Sequence, residues 1–479
     1  MTSAPSNPAD LDPRTRRMLE APLAPLMLRM AAPNVLIMVA QASAGLIETW
    51  FIGRLGTDAL AGMALVFPIV MLMQMTSAGA MGGAIASAIA RALGRRDRAA
   101  AESLAWAGLV IAVAFGLFFT VVLWWGGAAL YRSMGGEGAS LAAALTYSHV
   151  VFAGAVLIWL FNALSAVVRG TGNMALPAKV TTAGTLLLVP VSPLLIFGWG
   201  PIPGLGIAGG ALALVLYYLG GTLAMCAYLR SRHSLLRLTR SGLQLRATLF
   251  GSILRVGLAG AVSTVATNLT IGIATALTGH FGSAAIAGYG TASRLEYLLV
   301  PLVFGLGAPL VTIVGTCMGA GRPDRALKAT WIGAAVAFAM TECIGIVAAL
   351  FPHAWLGLFG QDAAMHAAGS QYLQVVGPVY GFFGLGLVLY FASQGAGRLA
   401  WPVGGNIARL LVAGIGGWWA LRSGGTLTQV FMAQAVALVV YGLLNAAAIA
   451  GGAWFGRVGW PRSVGRQVRL LDGAGAMHR

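Results

Sequence analysis

The chain has 479 residues and a formal net charge of +17; 58% of it is hydrophobic and only 9% charged, against about a quarter charged in soluble domains. Uncharged stretches such as 59–90 and 103–130 exceed the ~20 residues that cross a bilayer, which excludes an ordinary soluble domain. The positive charge lies in short loops between apolar runs rather than on one face, which argues against nucleic acid as a partner.

The first ~20 residues are polar and rich in Pro, Ser and Arg, without the short apolar core and cleavage site of a signal peptide. Residues 1–24 are therefore expected to remain as a tail, with the first crossing as the insertion signal. Apolar runs then predict twelve spans, near 30–52, 59–90, 103–130, 141–168, 178–199, 206–229, 253–278, 284–318, 329–350, 370–393, 401–421 and 427–455. This gives an all-α integral membrane fold with an amino-terminal lobe over 25–229, a linker over 230–252, a carboxy-terminal lobe over 253–455 and a tail over 456–479.

Of the 30 basic residues, all except Arg54, Arg132, Arg422, Arg294 and Arg409 fall in the tails and in alternate loops. That bias places both termini in the cytoplasm, and the basic loops are expected to rest on anionic headgroups. In the linker, leucines alternate with Arg232, Arg237, Arg240 and Arg246. The expectation is an amphipathic helix on the cytoplasmic surface, with a solvated basic linker as the alternative. Cys226, Cys317 and Cys343 all fall inside spans and offer no disulfide or zinc spacing.

The two halves repeat. Gly53, Gly56, Ala59, Ala61 and Gly62 recur 226 residues later as Gly279, Gly282, Ala285, Ala287 and Gly288. The run GRRDRA from Gly94 matches GRPDRA from Gly321 at an offset of 227, and Gly170, Gly172, Ala175 and Pro177 match Gly395, Gly397, Ala400 and Pro402 at 225. Six spans per half is an even number, so the repeats are parallel, and duplication places a substrate path between halves that can rock. Spans two and eight carry breakers, Pro68, Gly79, Gly82 and Gly83 in one and Pro301, Gly305, Gly307 and Pro309 in the other. Bent helices there are candidate gating elements.

Ionisable groups inside spans cost about 2.5–3.5 kcal/mol on insertion scales and are functional candidates by default. Asn34, Gln41 and Glu48 stand seven apart on span one and share one face, drifting only ~20° per heptad. No Lys or Arg lies in the spans of that half except near their cytoplasmic ends. Burial without a cation favours a carboxyl that takes up and releases a proton, so Glu48 is the candidate coupling acid, with Gln41 beside it and His149 as a hydrogen-bonding partner. The bland alternative is a hydrated acid at the outer interface. Arg294, Glu296, Glu342 and Arg409 in the second half sum to zero charge and are expected to form one polar network, structural or functional. Asn34, Met38, Gln41, Asn162 and Asn268 are candidate substrate contacts, with Trp159 and Tyr289 as aromatic surfaces suited to organic cations.

These segments together resemble the multidrug and toxic compound extrusion (MATE) transporters. The matching runs are FIGRLGTDALA from Phe51, ARALGRRD from Ala90 and RGTG from Arg169 with Pro177. The second half supplies HFGSAAIAG from His280, VGTCMGAG from Val314 and QGAG from Gln394. The resemblance implies two six-helix bundles forming a V and a secondary active antiporter. It further implies export of cationic or amphipathic small molecules through a cell inner membrane, by a monomer alternating access between its lobes. It calls for no cofactor or metal; the ion is transported H+, with Na+ as the alternative. Gln41, Glu48 and Thr49 match the family's first-span pattern, where the acid is usually Asp. Leu188 and Ser192 stand where relatives often carry Asn and Asp, and Thr267 and Phe383 where sodium-coupled relatives carry acids, which favours protons.

A major facilitator protein, also a twelve-span parallel duplication, is the first rival. The loop 91–98 holds only a fragment of that family's motif. A lipid-linked sugar flippase needs extra spans or an arginine-lined cavity. A membrane enzyme needs clustered His, Asp or Glu, and the six histidines are scattered.

Overall fold

The computed structural model describes residues 12–455 apart from 201, 240, 241, 243, 245 and 361, and leaves the side chains of 39–44, 46, 202 and 297 undescribed. The chain divides into two compact units, one holding Arg29–Leu258 with the stretch before Pro22, the other Pro22–Leu28 with the chain from Ala259 on. The boundary thus runs through the first turns of the helices that open each half.

After a short α1 (Pro13–Glu20), whose amino end Asp12 caps, α2 runs over Leu23–Gly53. The second crossing is α3 (Thr57–Gln74), a π-helical stretch over Met75–Met81 and α4 (Gly82–Gly94). Next comes α5 (Arg98–Ser133), with Asp97 accepting the Ala100 N–H at 2.8 Å as its cap. Helices α6 (Gly138–Ala153) and α7 (Ala155–Gly170) make one crossing bent by 47° at Gly154. A two-residue hairpin, β1 (Gly198–Trp199) against β2 (Ile202–Pro203), joins α8 (Ala175–Phe197) to α9 (Ile207–Arg230).

The second half repeats the pattern with α10 (Ala247–Gly279), α11 (Ser283–Gly319) and α12 (Pro323–Leu350). A short α13 (Pro352–Leu356) leads to α14 (Ala363–Val376), a 3-10 turn over Gly377–Val379 and α15 (Tyr380–Ala396). The chain closes with α16 (Ala400–Arg422) and α17 (Leu427–Ala450). Among the described residues nine helical segments are long and apolar enough to cross a membrane, and the bent α6–α7 pair is a tenth. With α2 and α16, twelve crossings result, six per half.

The repeated glycines have local causes. Gly56 and Gly282 precede α3 and α11 at φ of 118° and 98°, a region that side chains resist. Gly62 and Gly288 sit where helices touch: a Cβ on Gly62 would lie 2.7 Å from Ala144 N, and on Gly288 2.5 Å from Met365 O. Small residues let α3 meet α6 and α11 meet α14 backbone to backbone.

The breakers act differently in the two halves. In the second crossing the ladder widens into the π-helical turn, a feature that kinks a helix. In α11 the helix stays regular through Pro301 and Pro309, which at the 226 offset correspond to Met75 and Gly83.

The linker corrects an expectation. No α-helix forms among its described residues between 231 and 246. It runs as turns pinned to the first unit instead: Trp106 Nε1 donates to Thr239 O at 2.9 Å, and Leu236 is 1% exposed.

Candidate functional site

In the first unit Glu48 lies on α2 and is 6% exposed. Its Oε1 accepts the hydroxyl of Tyr147 on α6 at 3.1 Å, and that phenol is itself buried. Among the described residues no cation pairs with this carboxylate. Of the polar face on α2, Asn34 is 1% exposed, its amide donating to Met30 O of its own helix at 3.4 Å, and Met38 is half-buried. The Gln41 side chain lies outside the described residues. The hydrogen bond expected from His149 comes from Tyr147 instead. Two residues apart on a helix point different ways, and the His149 ring packs on Trp124 with centroids 4.7 Å apart.

Asn162 on α7, 6% exposed, reaches the π-helical turn. Its Nδ2 donates to Gln74 Oε1 at 3.1 Å and to Ser77 Oγ at 2.8 Å, while Gln74 Nε2 donates to the Tyr218 hydroxyl. Neutral hydrogen-bonding groups thus gather at the start of the segment where the helical ladder widens. Trp159 is a packing residue, 1% exposed and stacked on Phe115 at 5.1 Å. Leu188 and Ser192 are buried in α8.

In the second unit the expected four-residue network reduces to one pair. Arg409 on α16 and Glu296 on α11 meet at 3.6 Å, and Tyr372 on α14 donates to Glu296 Oε1. The guanidinium also lies over Phe383 at 5.4 Å and Tyr441 at 5.9 Å, where ring faces attract it. A small cavity here is lined by Thr270, Tyr289, Glu296, Tyr372, Arg409 and Gln434.

Glu342 does not join them. It accepts the Gly381 N–H at 2.6 Å, one of the donors left unpaired at the start of α15. Arg294 points away and lies over Phe359 at 5.3 Å; it stands two residues from Glu296, too few to share a helix face. Asn268 is exposed and bonds to Thr264 O of its own helix at 2.9 Å, so it joins neither cluster. Thr267 instead takes a hydrogen bond from Asn406 at 3.0 Å.

One correspondence was missed from the sequence. Tyr147 and Tyr372 stand 225 apart, the offset of the Gly170–Gly395 block, within a shared pattern of Ala142, Ala143, Val150 and Val151 against Ala367, Ala368, Val375 and Val376. Each tyrosine donates to an acid of its own unit. The acids come from different helices: at the 226 offset Glu48 faces Ala274, and the second unit draws Glu296 from α11. The duplicated phenol was the available signal.

Comparison with known proteins agrees with this architecture. The MatE family model matches residues 33–194 and 259–419, one block in each half. A protein of Shewanella oneidensis named "FAD transporter" is 26% identical, over 78% of this chain and 82% of its own length. "Probable multidrug resistance protein YoeA" of Bacillus subtilis is 25% identical, over 81% and 83%. In fold, a MOP superfamily transporter from Pyrococcus furiosus superposes with a TM-score of 0.83 at 21% identity, over 91% of this chain and 97% of that one. A MATE structure in the bent conformation gives 0.84 at 21% identity, over 91% and 96%. With both halves matched by the family model and twelve crossings in two repeated sets of six, the chain belongs to the MatE family and is a multi-pass membrane transporter, not an enzyme.

Proposed function

We propose that this protein exports cationic or amphipathic small molecules across the cell inner membrane in exchange for protons, with both termini in the cytoplasm. The relatives named for multidrug resistance support that class of cargo, and the placement of the basic residues supports the orientation. One observation carries the coupling: Glu48 is buried, held by a neutral phenol, and unpaired by any cation among the described residues. Such a carboxyl can exist in either protonation state without breaking an ion pair, and exchange between them suits alternating access. The other half favours protons over sodium. Its best-placed acid, Glu296, already has a tethered cation in Arg409, and Phe383 fills a position where an acid would be needed.

The test is uptake of a cationic dye into inverted vesicles under an imposed proton or sodium gradient. Wild type responds to the proton gradient and Glu48→Gln does not, while both bind dye. Gradient-driven transport that survives Glu48→Gln overturns the coupling role, and a sodium-only response overturns the choice of ion. The relative named as an FAD transporter makes that dinucleotide the second cargo to assay.

A further inference from the structure

The connection between α12 and α14 holds a histidine pair that has no part in the coupling proposed above. His353, exposed on α13, and His366, half-buried on α14, bring their Nδ1 atoms to 3.2 Å. The ring centres are 5.5 Å apart with planes inclined by only 18°. That separation is the nitrogen contact plus the two ring radii, so the nitrogens face each other nearly head-on. His366 Nε2 lies 2.8 Å from the carbonyl oxygen of Gly360. A carbonyl only accepts, so Nε2 carries the proton and Nδ1 of His366 presents a lone pair.

A backbone carbonyl on the far nitrogen is also the outer contact that fixes the tautomer and orientation of metal-binding histidines. Two nitrogens bound at about 2.0–2.1 Å to one tetrahedral ion stand roughly 3.3–3.4 Å apart, close to the separation present here. We propose that His353 and His366 form a binding site for a first-row divalent transition ion, each coordinating through Nδ1.

The site is nearly preorganised on one side and adaptable on the other. His366 is held by Gly360 and already in the required tautomer. His353 moves its proton from Nδ1 to Nε2 and tilts its exposed ring so that the two lone pairs converge. No third His, Cys, Asp or Glu completes a cluster among the described residues, so two or more positions on the ion stay open to water or another ligand. Imidazole donors select Cu2+, Ni2+ and Zn2+ over Mg2+ and Ca2+, with Cu2+ bound most tightly.

The experiment is metal titration of the full-length protein, purified in detergent on a tag without histidines, using Zn2+, Ni2+, Cu2+ and Mg2+ separately. The expected result is one equivalent of each transition ion, in the order Cu2+ above Ni2+ and Zn2+, and none of Mg2+. His353→Ala and His366→Ala each weaken Zn2+ binding by about tenfold or more, the loss that even an outer contact can cause. His280→Ala, at another exposed histidine, leaves it unchanged. Co2+ substitution gives an independent readout, a visible ligand-field band that disappears in either variant. Thermal unfolding without metal confirms that the variants are folded. Failure of wild type to bind Zn2+ and Cu2+, or binding that persists in both single variants, overturns the assignment.

Discussion

Arg409→Ala removes the cation from a pair whose side chains are 6% and 16% exposed. At the observed 3.6 Å, two unit charges attract by about 4–5 kcal/mol at an effective dielectric constant near 20. Deleting one partner leaves the largely buried Glu296 with the Tyr372 hydroxyl as its remaining partner among the described residues, a situation that costs about 3–5 kcal/mol. Each kcal/mol moves the melting point of a unit of this size by roughly 2–4 °C, so the single variant should melt roughly 6–20 °C below wild type. The partner change Glu296→Gln leaves an uncompensated guanidinium and should also destabilise, less so because Phe383 and Tyr441 still hold the cation. Removing both charges together, as Glu296→Gln with Arg409→Met, should restore most of the loss, since neutral groups of similar volume replace buried pairs at little net cost. The assay is thermal unfolding of purified wild type, both single variants and the double variant, read as a double-mutant cycle. Losses that simply add, with a coupling below about 0.5 kcal/mol, refute the claim that these charges hold each other. The same double variant should keep proton-driven dye transport, which separates the structural pair from Glu48.

Three further outcomes follow from the packing. Tyr147→Phe removes the hydroxyl that donates to Glu48 and should cost about 1–3 kcal/mol of stability; unfolding identical to wild type would show that water replaces the phenol at no loss. Gly345→Ala should destabilise by about 1–3 kcal/mol, because its Cβ would lie 2.1 Å from Gly377 O, an atom that cannot yield without moving the 3-10 turn. A melting point unchanged by that substitution contradicts the close approach. Asn162→Leu removes the donor from Gln74 Oε1 and one of the two hydrogen bonds of Ser77 Oγ, which still donates to Gln74 O, and should cost about 1–3 kcal/mol. It should also change amide exchange over 75–81 before it affects α5, and uniform exchange across both segments argues against a local role.

Much of this was readable in advance, for a physical reason. Bilayer thickness sets span length, and a duplicated chain repeats its steric requirements, so Gly56 and Gly62 announced Gly282 and Gly288. Burial of Glu48 was also legible, because a lone charge among Ala, Val and Leu leaves few other places to go. The neutral donors were not. Tyrosine costs little to bury and is ordinary in an apolar helix, so Tyr147 raised no flag while His149, two residues on, did. Pairing among Arg294, Glu296, Glu342 and Arg409 was ambiguous because net neutrality fixes no geometry. Glu342 found a backbone N–H freed by the break before α15, a donor invisible to any count of charges. The linker misled through its period. Leucines and arginines are interspersed there at uneven spacings, Leu236, Leu238, Leu243 and Leu245 against Arg232, Arg237, Arg240 and Arg246, and sustain no 3.6-residue period, while Ser231, Ser234 and Gly242 favour turns.

The opposed breakers in α11 and the second crossing carry a consequence for how the two halves tolerate drift. Around Met75–Met81 the departure from regular winding is accompanied by side chains on three helices, so substitutions at Asn162 or Tyr218 can alter it without touching the segment itself. Opposite, at Pro301 and Pro309, the missing amide protons are written into the covalent rings, and no neighbour can restore them. The carboxy-terminal half should therefore keep its pliancy through sequence change that the amino-terminal half would not survive unaltered.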